Sequence, residues 1–131
     1  MDLIEQLNTH WRWSGVQAVE IVRENDFGNL ILRDGAGRYW RLCPEELYCE
    51  VVTSSLGELD VLFEHPDFLH DWHMADMHAA AVDKLGALAP GHKYCLKMPV
   101  LLGGEYTEDN LGAVPLEQLL RFSGTVAAGL Q

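Results

Sequence analysis

Histidines and aspartates are concentrated in one short stretch of the sequence, and these residue types together can bind a metal ion. They are His65, His70, His73 and His78, with Asp67, Asp71 and Asp76. On an ideal helix His70 and His73 lie about 60° apart and could share an ion, but His78 lies about 140° from His73. Because these imidazoles do not converge and the sequence has no HExxH motif, we predict solvated histidines, with no bound metal and no cofactor.

A helix that starts near Pro66 would have a second weakly charged face besides the one that packs into the core. The predicted core face consists of Phe68, Trp72, Ala75, Ala79 and Val82. The opposite face consists of His70, His73, Met74, Met77 and Ala81. Methionine adapts its shape to a partner, so we predict that the two histidines and two methionines of this face contact another protein. The alternative is that a second layer of the same fold covers the face.

A polar, acidic loop is the other candidate binding surface. It has the sequence GGEYTEDN over residues 103–110, between two apolar segments. A tyrosine among carboxylates suits a cationic partner, so we predict that Glu105, Tyr106 and Asp109 bind one. The alternative is that Tyr106 anchors the core and the acids are merely exposed.

Motifs of other kinds of chemistry do not occur in the sequence. Ser123 is not part of a GxSxG motif, and Gly103-Gly104 lacks the lysine and spacing of a phosphate-binding loop. The three cysteines form no CxxC pair and have strand-like neighbours, so we predict reduced thiols that pack rather than react. We therefore predict that the protein is not an enzyme.

The helices and strands that would position these surfaces are predicted from the spacing of the hydrophobic residues. Helical spacing covers residues 3–11, and β-rich segments follow at 16–23, 29–33, 38–42 and 47–52. Helices then start near residues 56 and 66, a strand covers 93–98, and a last helix starts at Pro115. Strands followed by helices indicate an α+β fold, which we predict as a mainly antiparallel sheet of about five strands with helices packed on one face.

Composition narrows the class of protein. The 131 residues suffice for a single domain over 1–131, and the formal net charge is −11. Such a charge repels nucleic acid and anionic membranes, so we predict neither nucleic-acid nor membrane binding. It favours a basic partner, and the alternative is that it serves solubility alone. No secretory signal and no apolar run of about 20 residues is visible, and we predict a cytoplasmic location.

Several short motifs, in a fixed order, resemble one known family. They are FGN at 27–29, GRYWRLCPEEL at 37–47, DF at 67–68, DW at 71–72, KLG at 84–86, CLK at 95–97, LGGEY at 102–106, NLG at 110–112 and FSG at 122–124. Over about residues 27–125 they resemble the C-terminal domain of type VI secretion immunity proteins, whose best-known members neutralise a DNase toxin delivered between bacteria.

The resemblance implies an immunity protein that binds and neutralises a cognate toxin, a secreted nuclease effector, in the cytoplasm without catalysis. It also implies that motif residues such as Trp40 and Trp72 are structural. Two other hypotheses stay open from the residues. One is a small metal-binding or enzymatic domain that uses the His/Asp-rich helix, and the other is a self-associating scaffold module, a homodimer in the simplest case.

Overall fold

The computed structural model describes residues 2–131 and shows an α+β fold, as predicted from the order of the elements. The strands are β1 (Ala18–Glu24), β2 (Leu30–Asp34), β3 (Tyr39–Cys43), β4 (Tyr48–Thr53), β5 (His92–Leu96) and β6 (Leu111–Pro115). The α-helices are α1 (Leu3–His10), α2 (Leu56–Leu62), α3 (Pro66–His73), α4 (Ala75–Leu85) and α5 (Leu116–Gly129). No helix within this described part of the chain is both long and apolar enough to span a bilayer.

The first four strands form an antiparallel meander in the order β1-β2-β3-β4. The turn after β2 is built around Asp34, whose Oδ1 accepts hydrogen bonds from the backbone N–H groups of Ala36 and Arg38, each at 2.9 Å. Its Oδ2 accepts from Trp40 Nε1 at 2.9 Å and Arg38 Nε at 2.8 Å. Burial opposes ionisation of this carboxyl, but the hydrogen bonds outweigh burial and lower its pKa from 3.8 to about 2.

Helices cover both faces of the meander, so the expectation of helices on one face is wrong. On one face α1 and α5 pack with Leu30, Leu32 and Trp40 in a core around Leu7 and Leu120. On the other face α2 and α3 pack against the sheet in a second core, which contains Ile31, Tyr39, Leu59, Phe63 and Trp72. Alternation along β2 sends Leu30 and Leu32 to one core and Ile31 to the other, so the sheet is buried on both sides.

The predicted single sheet of about five strands is also not what forms, because residues 2–131 contain six strands divided between two sheets. β5 pairs antiparallel with β6, from His92 opposite Pro115 to Leu96 opposite Leu111. A third core lies beside this two-stranded sheet, with Phe27, Tyr94, Leu96, Leu111 and Ala81 of α4 at its centre.

The helix expected to continue from Pro66 past Val82 is broken at Met74. This residue has φ +49°, in the left-handed region that non-glycine residues rarely adopt, and it separates α3 from α4. The predicted core face is therefore correct only in α3, where Trp72 is buried and Phe68 half-buried. In α4 that face is wrong, because Ala75, Ala79 and Val82 are exposed while Ala81 is fully buried.

The contact between α1 and α5 provides a stability test. A Cβ on Gly124 would lie 2.6 Å from the carbonyl oxygen of His10 and 2.9 Å from Trp11 Nε1, which donates to Leu120. Gly124→Ala is expected to lower the free energy of unfolding by about 1–3 kcal/mol in urea denaturation, because both helix backbones must move apart. Gly129→Ala in the same helix meets nothing within 4 Å and serves as the control, with little change expected. Equal stability of the two variants would contradict the close approach.

Candidate functional site

A cleft of about 200 Å³ opens where the end of β3, the α3–α4 junction and the loop before β6 meet. Its walls combine carboxylates, thioethers and one phenol ring. The lining residues are Arg41, Glu45, Glu46, His70, Asp71, Met74, Ala75, Asp76, Met77 and Tyr106. Three segments distant in sequence therefore form one concave surface, which is where ligand and partner groups are usually bound.

A buried polar network forms one end of the cleft. Asn29 is fully buried, and its Nδ2 donates to both carboxylate oxygens of Glu45 at 2.9 Å. Its Oδ1 accepts from Arg41 Nε at 3.2 Å and from Arg41 Nη2 at 3.0 Å. Glu45 and Arg41 are 5% and 6% exposed, so Asn29 holds two ionisable side chains in place away from solvent.

Arg41 links this network to helix α3. Its Nη1 lies 2.6 Å from Asp71 Oδ2, and its guanidinium lies over the rings of Trp72 and Phe68, at 5.3 and 5.7 Å from their centres. Burial opposes the charged form of Arg41, but the hydrogen bond and the charge of Asp71 prevail and raise its pKa. The Arg41–Asp71 pair thus fixes α3 against the sheet and leaves little of the Arg41 charge free.

Glu45 is a buried carboxyl group that forms no ion pair. None of the ion pairs formed within residues 2–131 includes it, and its side-chain hydrogen bonds come from the neutral groups of Asn29 and Cys43. Burial raises the pKa of Glu45, and the hydrogen bonds together with the charge of Arg41, which Asn29 bridges to it, offset only part of that effect.

Tyr106 closes the cleft from the loop side. The side chain is 41% exposed, and its hydroxyl donates a hydrogen bond to Glu46. Partial burial, followed by the charges of Glu45 and Glu46, raises the pKa of Tyr106, so the phenol keeps its proton. Several perturbed groups therefore meet at this cleft, which is typical of functional sites.

The loop that carries Tyr106 is held by Asn110. The Asn110 Nδ2 donates to the carbonyl oxygens of Met98 and Glu105, at 2.9 and 3.0 Å, and its Oδ1 accepts from the Met98 N–H at 2.9 Å. Gly104 lies so close to Met98 that a Cβ there would be 1.7 Å from the Met98 carbonyl oxygen. The loop is a closely packed structure that presents Tyr106 in one position.

Three side chains beside the cleft carry donor atoms that could bind a metal ion. Cys43, Glu45 and Glu46 each place one possible ligand atom within 4.8 Å of the others. However, burial and the neighbouring Glu45 raise the pKa of the Cys43 thiol, which donates a hydrogen bond to Glu45. These groups fit a hydrogen-bonded network better than a metal site, since a ligating cysteine must lose its proton.

The structure brings together four of the seven residues predicted to bind a partner. His70, Met74, Met77 and Tyr106 line the cleft. Met74 and Met77 also pack against the core beside β5 and β6, so the fold covers part of each.

The other three predicted residues lie elsewhere. His73 lines two other depressions beside the end of α3, and Glu105 and Asp109 are exposed on the loop outside the cleft. The neighbouring His78 forms a hydrogen bond with Asp26, at 2.7 Å between Nε2 and Oδ2. The histidine-rich stretch is therefore divided among different surfaces.

Sequence reasoning assigned six of the lining residues to no partner-binding surface, namely Ala75 and the charged residues Arg41, Glu45, Glu46, Asp71 and Asp76. Ala75 had been expected in the core, and Asp71 and Asp76 had been considered only as possible metal ligands. The one weak signal was the pair Glu45-Glu46 directly after Pro44. A proline ends a strand, so the acids that follow it are expected in the turn at the end of β3.

A known protein family matches this chain. The family model described as "T6SS immunity protein Tdi1, C-terminal" matches residues 53–127, more than half of the chain. No curated protein matches the chain. The matched region contains α3, α4, the two-stranded sheet and the Tyr106 loop, whereas the motifs at residues 27–47 precede it.

Proposed function

The chain belongs to the family of the T6SS immunity protein Tdi1, C-terminal domain, and from that premise we propose that it binds and neutralises a cognate type VI secreted effector. The effector in this proposal is a basic protein, a nuclease, and the complex forms in the cytoplasm. The chain acts by binding, without catalysis and without a cofactor.

The observation that carries the proposal is the cleft between the α3–α4 junction and the Tyr106 loop. Met74, Met77 and Tyr106 supply adaptable and aromatic contact surface, and the surrounding acids supply negative charge. Binding sites of this composition combine an apolar anchor with charged surroundings, and the anchor contributes most of the affinity. We propose His70, Met74, Met77 and Tyr106 as the centre of the effector contact.

The overall charge supports a basic effector. The formal net charge of −11 produces a negative potential that attracts a basic protein and speeds its association. Enzymes that cleave nucleic acid need positive charge around their active sites, because the phosphate backbone dominates their binding. An acidic immunity protein therefore has the charge complementary to such a surface.

The test is co-expression with the effector domain encoded next to this gene, scored by survival and combined with a pull-down. The proposal expects survival and a stable complex, with light scattering showing one complex of defined mass. Death of the cells together with no binding, while the effector is demonstrably active, would overturn it. A homodimer in the absence of effector would instead support the scaffold hypothesis.

The loop acids are expected to act on association rather than on the final complex. Glu105 and Asp109 are exposed and lie outside the cleft, so Glu105→Lys with Asp109→Lys should slow association with the effector several-fold. The deficit should shrink as salt is raised, because salt screens exposed charges. Stopped-flow kinetics at low and high salt measures this.

The matched control is Glu64→Lys with Asp83→Lys. Both residues are also exposed, and the control has the same net charge as the loop variant. Equal slowing by both double variants would mean that only net charge matters. Unchanged kinetics in the loop variant would remove the loop from the binding surface.

A further inference from the structure

We propose that the cleft receives an arginine side chain of the effector, whose guanidinium lies beside Glu45 and Glu46 and next to the ring of Tyr106. This inference rests on the proposed function, since it names the group by which the effector is held. It is carried by the shape of the cleft and by the distribution of charge within it.

The positive groups at the cleft are already matched by acids of this chain. Arg41 pairs with Asp71 at 2.6 Å. The N-terminal end of α4, where backbone N–H groups create a partial positive charge, has Asp76 in its first turn. Glu45 and Glu46 are left with no positively charged partner among the ion pairs of residues 2–131.

Glu45 is the unusual member of this pair because it is 5% exposed and still faces the cleft. A buried carboxylate outside an ion pair is costly, and a protein normally avoids one by pairing it. Asn29 and Cys43 donate hydrogen bonds to Glu45, and Arg41 favours its charged form across Asn29 without pairing with it, because the Arg41 guanidinium is paired with Asp71. A cation that enters the cleft from another molecule would pair with Glu45 directly in a site with little competing water.

The remaining walls favour arginine over lysine. A guanidinium is planar, donates hydrogen bonds in several directions and stacks on aromatic rings, whereas an ammonium is a compact, strongly hydrated charge. Here two carboxylates are adjacent in sequence, and a half-exposed tyrosine ring lies beside them. Met74 and Met77 offer thioether surface for the aliphatic part of an arginine side chain.

The direct test uses a single residue as the probe, N-acetyl-arginine-N-methylamide, and the methionine methyl resonances of the chain as the readout. Met74 and Met77 line the cleft, while Met98 is half-exposed on the loop outside it and serves as an internal control. We expect Met74 and Met77 to shift on titration with a dissociation constant on the order of 1–10 mM, and Met98 to stay unchanged. The citrulline analogue, neutral and nearly the same shape, should cause no comparable shift.

Glu45→Gln is the informative variant. It keeps the size of the side chain and an oxygen for Asn29, so the fold is retained, and it removes the charge. We expect it to weaken binding of the arginine probe by about tenfold or more. Asp83→Asn, on an exposed part of α4, should leave binding unchanged.

The outcomes separate this inference from the proposed function. Equal shifts with arginine and citrulline, equal binding of a lysine probe, or an unaltered response in Glu45→Gln would each overturn the arginine site. If survival and pull-down succeed while the arginine probe fails, the effector is bound in another way and only the inference is lost. If the probe binds as expected but survival and complex formation both fail, the cleft takes arginine but the immunity role is wrong.

Discussion

Replacing Glu45 with glutamine is expected to raise the free energy of unfolding at neutral pH by about 1–3 kcal/mol, the usual cost of an imperfectly satisfied buried polar group. Most substitutions of a buried, hydrogen-bonded residue destabilise a protein. Here the sign is reversed because burial opposes ionisation of this carboxyl more than its hydrogen bonds and the charge of Arg41 favour it. A neutral amide of the same size keeps an acceptor for Asn29 Nδ2 and removes the charge.

The gain in stability from Glu45→Gln should grow as pH rises. The folded protein holds the Glu45 proton more tightly than the unfolded chain, whose carboxyl has an ordinary pKa of 4.5. Above pH 4.5 the folded state therefore binds more protons than the unfolded state, and the wild type loses stability as pH rises through the raised pKa. Below pH 4.5 the carboxyl is protonated in both states, so the difference between variant and wild type should vanish there.

Urea denaturation from pH 4 to pH 8 measures this effect, with Glu46→Gln as the control. Glu46 is exposed and directly adjacent in sequence, so its replacement should change stability by no more than about 0.5 kcal/mol. A Glu45→Gln variant that is less stable than the wild type at neutral pH, or whose difference does not grow with pH, would show that the carboxylate is well compensated within the chain.

A Glu45→Gln variant that is more stable than the wild type but binds arginine less well would indicate that Glu45 is present for binding. Groups that reduce stability are found where function requires them, because a site must hold charge or polarity ready for its ligand. The Asn29 network would then be a support that holds Glu45 in position for the partner. A purely structural carboxylate would not lower stability and raise affinity together.

The meander was predictable because its signals are local. The turn residues from Asp34 to Gly37 and the proline at position 44 mark the ends of strands directly in the sequence. The capping of α2 is equally local, with Ser55 Oγ accepting from the Glu58 N–H at 3.2 Å and Glu58 Oε2 accepting from the Ser54 N–H at 3.0 Å. Patterns of this kind need no knowledge of distant residues.

The break between α3 and α4 was not predictable, because no glycine or proline marks it. A left-handed Met74 costs roughly 1–2 kcal/mol and persists because distant residues hold the end of α3. Asn25 Nδ2 donates to the Trp72 carbonyl at 2.9 Å, and Arg41 holds Asp71. The same break invalidates a helical wheel across Met74, which is why Ala81 and not Val82 faces the core.

The cleft itself depends on contacts that sequence cannot show. Arg41, Asp71 and Tyr106 are each at least thirty residues apart, and only the fold brings them to one surface. Residue type selected Tyr106, and residue type together with helical spacing selected Met74 and Met77. Glu45 and Glu46 did not stand out among the 20 acids in the chain, although their position decides what the cleft can bind.

Glu46→Lys is expected to weaken binding of the effector by about 100-fold or more and to abolish survival on co-expression, without loss of stability. The new ammonium would lie beside Glu45 and form the direct ion pair that this carboxyl does not make within residues 2–131. It would thereby occupy the place that we assign to the effector arginine and repel it. Since Glu46 is exposed, the fold has no need of its negative charge.

The kinetics should distinguish this variant from the loop variant. Loss of a charge pair at the centre of an interface mainly speeds dissociation, whereas loss of exposed peripheral charge mainly slows association. Glu46→Lys should therefore raise the dissociation rate, and high salt should restore little of the affinity. The control is Asp83→Lys, which makes the same change of charge on an exposed part of α4 and should bind nearly as the wild type does. If both variants lose affinity equally, or if Glu46→Lys retains full affinity, the effector does not place a cation beside Glu45 and Glu46, and the binding surface has to be sought outside the cleft.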